Sequence, residues 1–143
     1  MSQLITVLLT VVSGVLVFVV GQIVLECYIK PLQEYHKIKS EIGFLLLYYA
    51  NVFMNPIDID RWGSLSEWED KNYSEASNKL REAAAKLEGF KQQKVFFIKK
   101  SRIEEAEKGL IGLSNSLFYS DDYKQLNHNQ QLDENIRREL HLR

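Results

Sequence analysis

The sequence predicts an all-α fold: an N-terminal transmembrane helix continuing into a small cytoplasmic helical bundle. Two observations predict it. Residues 4–25, LITVLLTVVSGVLVFVVGQIVL, form an uncharged apolar run. About twenty such residues cross a bilayer's hydrocarbon core as a helix, the form that satisfies every backbone group in lipid. Beyond it, apolar residues recur at three- and four-residue steps in one stretch after another. Residues 1–30 therefore read as the membrane helix with its flanks, and 31–143 as a cytoplasmic helical domain.

A cleaved signal peptide fits the first run poorly. Met1-Ser2-Gln3 carries no basic side chain, and no small-residue cleavage site precedes Glu26. A buried core helix of this length is rare. Lys30, Lys37 and Lys39 follow the run, so the C-terminal part is expected inside and the N-terminus outside. Within the run, Thr10, Gly14 and Gly21 are spaced by four and seven and share one helical face. Small residues there let a second helix approach closely, which predicts self-association. The single cysteine, Cys27, excludes an internal disulfide framework and stands at the membrane boundary.

Pro31 lacks the N–H that an inner helical turn needs, so the helix is predicted to kink or restart there. From residue 32 the stripe Tyr35, Ile38, Ile42, Leu45, Tyr49, Val52 and Phe53 is helical. Residues 42–54 are apolar nearly all round, which predicts a central helix buried all round, with Asn51 needing a buried partner. Asn55-Pro56 ends it. Residues 57–72 read as a loop with one helical turn near 66–70. A helix capped by Ser74 follows, with the stripe Ala76, Leu80, Ala83, Leu87 and Phe90, and stops at Gly89. Ser101 and Glu104 read as a capping box for a helix striped by Ile103, Ala106, Leu110, Leu113 and Leu117. Gly109 and Gly112 inside that helix cost stability unless a close helix contact offsets them. The polar stretch 119–131 reads as loop or frayed helix. Leu132, Ile136 and Leu140 form a last stripe, with acids early and bases late as the helix dipole favours.

Residues 30–34 (KPLQE), Glu41-Ile42, 49–52 (YANV), Asn55-Pro56 and 111–118 (IGLSNSLF) resemble a family of small, uncharacterised bacterial membrane proteins. The resemblance implies one N-terminal membrane helix, a short cytosolic helical domain and a bacterial inner-membrane setting. It implies no activity and no site residues.

The chain is charge-balanced, at −1 formally, which argues against bulk binding of nucleic acid. Residues 58–69, DIDRWGSLSEWE, match the calcium loop at its first, third, sixth and twelfth positions. Trp62 offers no oxygen at the fifth, and Pro56 breaks the entering helix, so no calcium site is expected. His36, His128 and His141 lack ligand spacing, and no phosphate loop or catalytic motif is present. Metal, cofactor and enzymatic activity are therefore not expected. The basic-apolar stretch KQQKVFFIKKSR is the candidate surface for a membrane or an anionic ligand, through Lys91, Lys94, Phe96, Phe97, Lys99, Lys100 and Arg102. The alternative reading is an apolar loop that plugs the end of the bundle, with solvated lysines around it.

The expected function is a single-span, membrane-anchored interaction protein that self-associates or holds a membrane partner. The alternative is a channel-like effector whose cytoplasmic domain senses a ligand or partner.

Overall fold

The computed structural model describes the chain except Met1, Lys94, Phe96, Phe97, Tyr119, Ser120, Asp121 and Arg143. The side chains of Ser2, Ile59, Arg61, Trp62, Asp122 and Tyr123 are also left undescribed. The chain divides into two compact units, Met1–His36 and Lys37–Arg143.

The first unit is helical. α1, Ser2–Val24, is long and apolar enough to cross a membrane, and none of its apolar stretch is buried. A π turn, Leu25–Ile29, follows, and α2 begins at Lys30. The π turn answers the Pro31 problem. An α-helix would aim the proline ring at the Cys27 carbonyl. Instead the turn widens and the Lys30 N–H reaches the Leu25 carbonyl, five residues back. The backbone thus stays helical through Pro31. Lys30 and Glu26 pair across the same turn.

The second unit packs the end of α2 (Lys30–Tyr48) with α3 (Ala50–Phe53), α4 (Glu67–Lys91), α5 (Lys100–Ser116) and α6 (Asp122–Leu140). Cross-links show the directions. Glu41 pairs with Lys86 and Tyr49 with Glu75, so α2 and α4 are antiparallel. Ser77 bonds the Ser114 carbonyl while Lys91 meets Glu104, so α4 and α5 are antiparallel. Arg102 pairs with Glu139 while Gly109 lies against Ile136, so α5 and α6 are too. The predicted stripes supply most of the core, with Ile42, Phe53, Leu80, Leu87, Leu110, Leu113, Leu117 and Ile136 fully buried; Leu46, outside the stripe, joins them, and Tyr35 is only half-buried.

Several elements differ from the sequence reading. α4 begins at Glu67, not after Ser74. Ser66 caps it in a capping box, Oγ accepting the Glu69 N–H while the Glu69 carboxylate accepts the Ser66 N–H. The helix passes through Gly89 to Lys91 because an exposed glycine only weakens a helix already held by Leu87 and Phe90. α5 starts at Lys100 without a side-chain cap, and Glu104 turns to Lys91 instead of back to Ser101. α6 already begins at Asp122, and its polar first half contributes buried groups. Asn51 is exposed, so it needs no buried partner.

The close contact anticipated from the interior glycines lies within the bundle. A Cβ on Gly109 would stand 2.6 Å from Ile136 Cγ1, and one on Gly112 would stand 3.0 Å from Leu132 Cδ1. Between α3 and α4 the chain is tied down by Ile57 N–H donating to the Leu117 carbonyl at 3.0 Å and by Tyr73 Oη–H donating to the Asn55 carbonyl.

Candidate functional site

Three surfaces carry the residues that the sequence singles out. The first is α1. Thr10 Oγ–H donates to the Thr6 carbonyl and Ser13 Oγ–H to the Thr10 carbonyl, each at 2.9 Å. Both hydroxyls are thereby satisfied inside the helix. Gly14 and Gly21 have no other atom within 4 Å of where a Cβ would sit, so their face is open.

The second is the basic stretch. Lys94, Phe96 and Phe97 lie outside the described residues. Lys99 and Lys100 are exposed at the start of α5. Lys91 and Arg102 instead face inward along the bundle. Lys91 pairs with Glu88, with Glu107 at 3.3 Å and with Glu104 at 3.6 Å. Arg102 Nε–H donates to Glu139 at 3.2 Å and its Nη2–H to the Arg138 carbonyl at 2.9 Å, with His141 Nε2 beside Nη1. Among the four described residues of the seven, Lys91 and Arg102 thus already hold intramolecular partners, and Glu104, Glu107 and Glu139 among these are hidden in sequence because they lie on other helices.

Lys91 ties the end of α4 to α5. Its bond to Glu88 raises its pKa above the usual lysine range, burial opposing and Glu107 adding to the rise. Glu88 is held below the usual carboxylate range, by Lys91 first and Gln92 second. A raised lysine stabilises fully below its unfolded value and loses that as pH rises through its folded one. A depressed carboxylate stabilises above its unfolded value and loses that as pH falls through its folded one. The cluster is therefore at full strength across neutral pH. Lys91→Gln leaves three carboxylates facing one another. Its melting temperature should fall below the parent's at pH 7, and the difference should shrink as pH approaches about 4, where carboxylates take up protons. A constant difference across that range, measured by circular dichroism, would count against the pairing.

The acidic loop is arranged for the helix start. Residues Ile59–Ser64 form a 3-10 turn, Asp58 Oδ1 accepts the Asp60 N–H at 3.0 Å, and the Glu69 carboxylate is committed to Ser66. The Trp62 side chain lies outside the description. Among the described residues, no three His, Cys, Asp or Glu side chains are placed to share a metal ion. His36 on α2 and His128 on α6 are exposed, and Cys27 is exposed in the π turn.

The third surface departs from the sequence expectation. The apolar run 42–54 predicts burial all round, but α2 is buried on one side only. Ile42, Leu45, Leu46 and Tyr49 face the core. On the opposite side Phe44, Leu47 and Tyr48 are 60, 74 and 64% exposed, and the Phe44 and Tyr48 rings stack at 5.4 Å. The apolar run was the available signal, since a helix apolar all round has more apolar surface than one core can cover. On the core side, burial pushes the Tyr49 phenol up to about 12, with Glu75 adding to the rise. A shallow groove between α4 and α5 holds Arg81, whose guanidinium donates to Ser114 Oγ and Asn115 Oδ1 at 2.9 Å each. The bundle itself therefore fixes this arginine.

No family model matches the chain, and no curated protein or solved structure matches it.

Proposed function

We propose that the protein is a single-span, membrane-anchored interaction protein that self-associates and presents its helical bundle at the cytoplasmic face of a bacterial inner membrane. One observation carries the reading: α1 is an uncharged helix of 23 residues whose described apolar side chains are exposed. At 1.5 Å per residue it is about 35 Å long, which matches a hydrocarbon core of about 30 Å. The basic residues that follow it support an inside C-terminus. The open face of Thr10, Gly14 and Gly21 supports pairing, since lipid gives helices no hydrophobic reason to associate and close packing does.

The test uses the full chain in native membranes. A C-terminal phosphatase fusion should be inactive, and activity in the periplasm would reverse the topology. Gly14→Ile and Gly21→Ile should each reduce cross-linked oligomer, while Val12→Ile, on the opposite face, should not. A parent that stays monomeric would reduce α1 to an anchor.

A further inference from the structure

We propose that the groove between α4 and α5 docks a peptide segment of a partner protein, with a carboxylate on Arg81 and a cationic group two helical turns away. This contact lies outside the self-association reading and stands or falls apart from it. Arg81 is a charge held in place without being neutralised. Its Nε–H donates to Ser114 Oγ and its Nη2–H to Asn115 Oδ1, both uncharged. Among the described residues it forms no ion pair. Ser114 is fully buried and its carbonyl accepts from Ser77 Oγ–H at 3.3 Å, so the anchor belongs to the core. A guanidinium has five N–H donors, and two are used here. The others, on the two terminal nitrogens, can grip both oxygens of a carboxylate. Much of what weakens an exposed ion pair is the entropy lost in fixing a long side chain. Here the two helices have fixed it beforehand.

The rest of the groove selects the occupant. It encloses about 400 Å³, with Ala84, Ala85 and Ile111 lying between Arg81 and Asn115 at one end and Glu88 and Glu107 at the other. Glu88 and Glu107 share Lys91 with Glu104, so three carboxylates face one ammonium and that end keeps a negative excess. The neighbouring charges cancel: Lys79 and Lys86 pair with Glu82 and Glu41, and Lys108 pairs with Glu105. Residues 81 and 88 stand two turns apart, about 10 Å along α4. The groove is thus positive at one end, negative at the other and apolar between. A free anion answers only the Arg81 end. A small zwitterion would be poorly covered, because pockets for such ligands enclose most of their surface and this groove is shallow. A peptide with an acid and a base about three extended residues apart answers both ends and continues beyond them.

The experiment uses the full chain in detergent micelles, with the backbone amides of Ala85 and Ile111 followed by NMR. The probe is acetyl-Glu-Leu-Leu-Lys-amide. Acetyl-Gln-Leu-Leu-Lys-amide removes its negative charge, and inorganic phosphate serves as the free anion. The Glu probe should shift both resonances and saturate, and the Gln probe should bind at least about tenfold more weakly, the scale of a hydrogen bond to a charged group. Arg81→Gln should abolish binding. Asn115→Asp should keep the fold, because aspartate accepts the same N–H, and should weaken the Glu probe about tenfold by supplying the carboxylate from within. Equal binding of the two peptides, an unweakened Asn115→Asp, or no saturation by the Glu probe would overturn the proposal. Phosphate that saturates as tightly as the Glu probe would assign Arg81 to a free anion and overturn it too.

Discussion

Gly109→Val should unfold much of the bundle at temperatures where the parent is intact. The clash is with a packed side chain, close to its branch point: Ile136 Cγ1 would lie 2.6 Å from the new Cβ and Cδ1 3.2 Å, with the Leu132 carbonyl oxygen in ordinary contact at 3.7 Å. Ile136 is fully buried and has nowhere to move. Overpacking of this kind costs about 3 kcal/mol. In a unit of this size that lowers the melting temperature by roughly 10–20 °C. Neighbouring glycines should behave differently. Gly112 meets the end of the half-buried Leu132 side chain, its methyls at 3.0 and 3.3 Å and Cγ at 3.8 Å, and that end can give way, so Gly112→Ala should be close to neutral. Gly89→Ala, in open space on α4, should gain up to about 1 kcal/mol of helix propensity. Gly109→Val with Ile136→Ala should recover part of the loss, because the two changes share one space. Calorimetry of the four variants would decide it, and a Gly109→Val variant as stable as Gly112→Ala would show that the helices stand further apart.

The second large effect is expected at Asn129. This side chain is fully buried, donates from Nδ2 to the Phe53 carbonyl at 2.6 Å, and accepts from Gln125 Nε2 at 3.2 Å. It fastens α6 to the end of α3, where the chain leaves the helix and the carbonyl has no helical donor. Asn129→Ala should cost about 3 kcal/mol, from the lost bonds and a buried carbonyl left unpaired. Asn129→Asp should cost as much at neutral pH, because a carboxylate cannot donate to Phe53. Its burial beside a carbonyl raises the folded pKa above the unfolded value near 4, so stability is present below that value and lost as pH rises through the folded one. The aspartate variant should therefore regain ground on the parent in acid while the alanine variant does not. Equal behaviour of the two in acid would refute the Asn129–Phe53 bond.

The two effects show what a sequence discloses and what it withholds. The stripes at Leu80, Leu87, Leu110 and Ile136 were legible because burial of one helical face leaves a period that composition cannot hide. Gly109 was legible as a cost without a visible gain. Asn129 and Gln125 were not, since a buried amide looks like a solvated one until its partner is placed. The Ser66-x-x-Glu69 cap was readable by its spacing, but the polar run around it carries no apolar period to mark a helix. Periodicity also cannot say whether an apolar face is covered by its own chain, which is why Phe44, Leu47 and Tyr48 read as core. Among the candidate site residues, sequence located Lys91 and Arg102 correctly as basic and could not see that carboxylates on other helices already engage them.

The π turn at Leu25–Ile29 can be regarded as a one-residue insertion that the helix absorbed without breaking. Each α-helical residue turns the chain by about 100°, so one surplus residue rotates the helical turn that follows it, up to His36, by about that much. Within the first unit, the line through Gly14 and Gly21 would otherwise run on to Leu32. The extra residue passes it to Gln33. The strip of small residues thus gives way to a polar side chain past the turn, and the apolar Leu32 is swung aside. Deleting any one residue between 25 and 29 would reset that phase and set Pro31 against an ordinary helical turn. The segment is a fixed gear step, in which length sets direction.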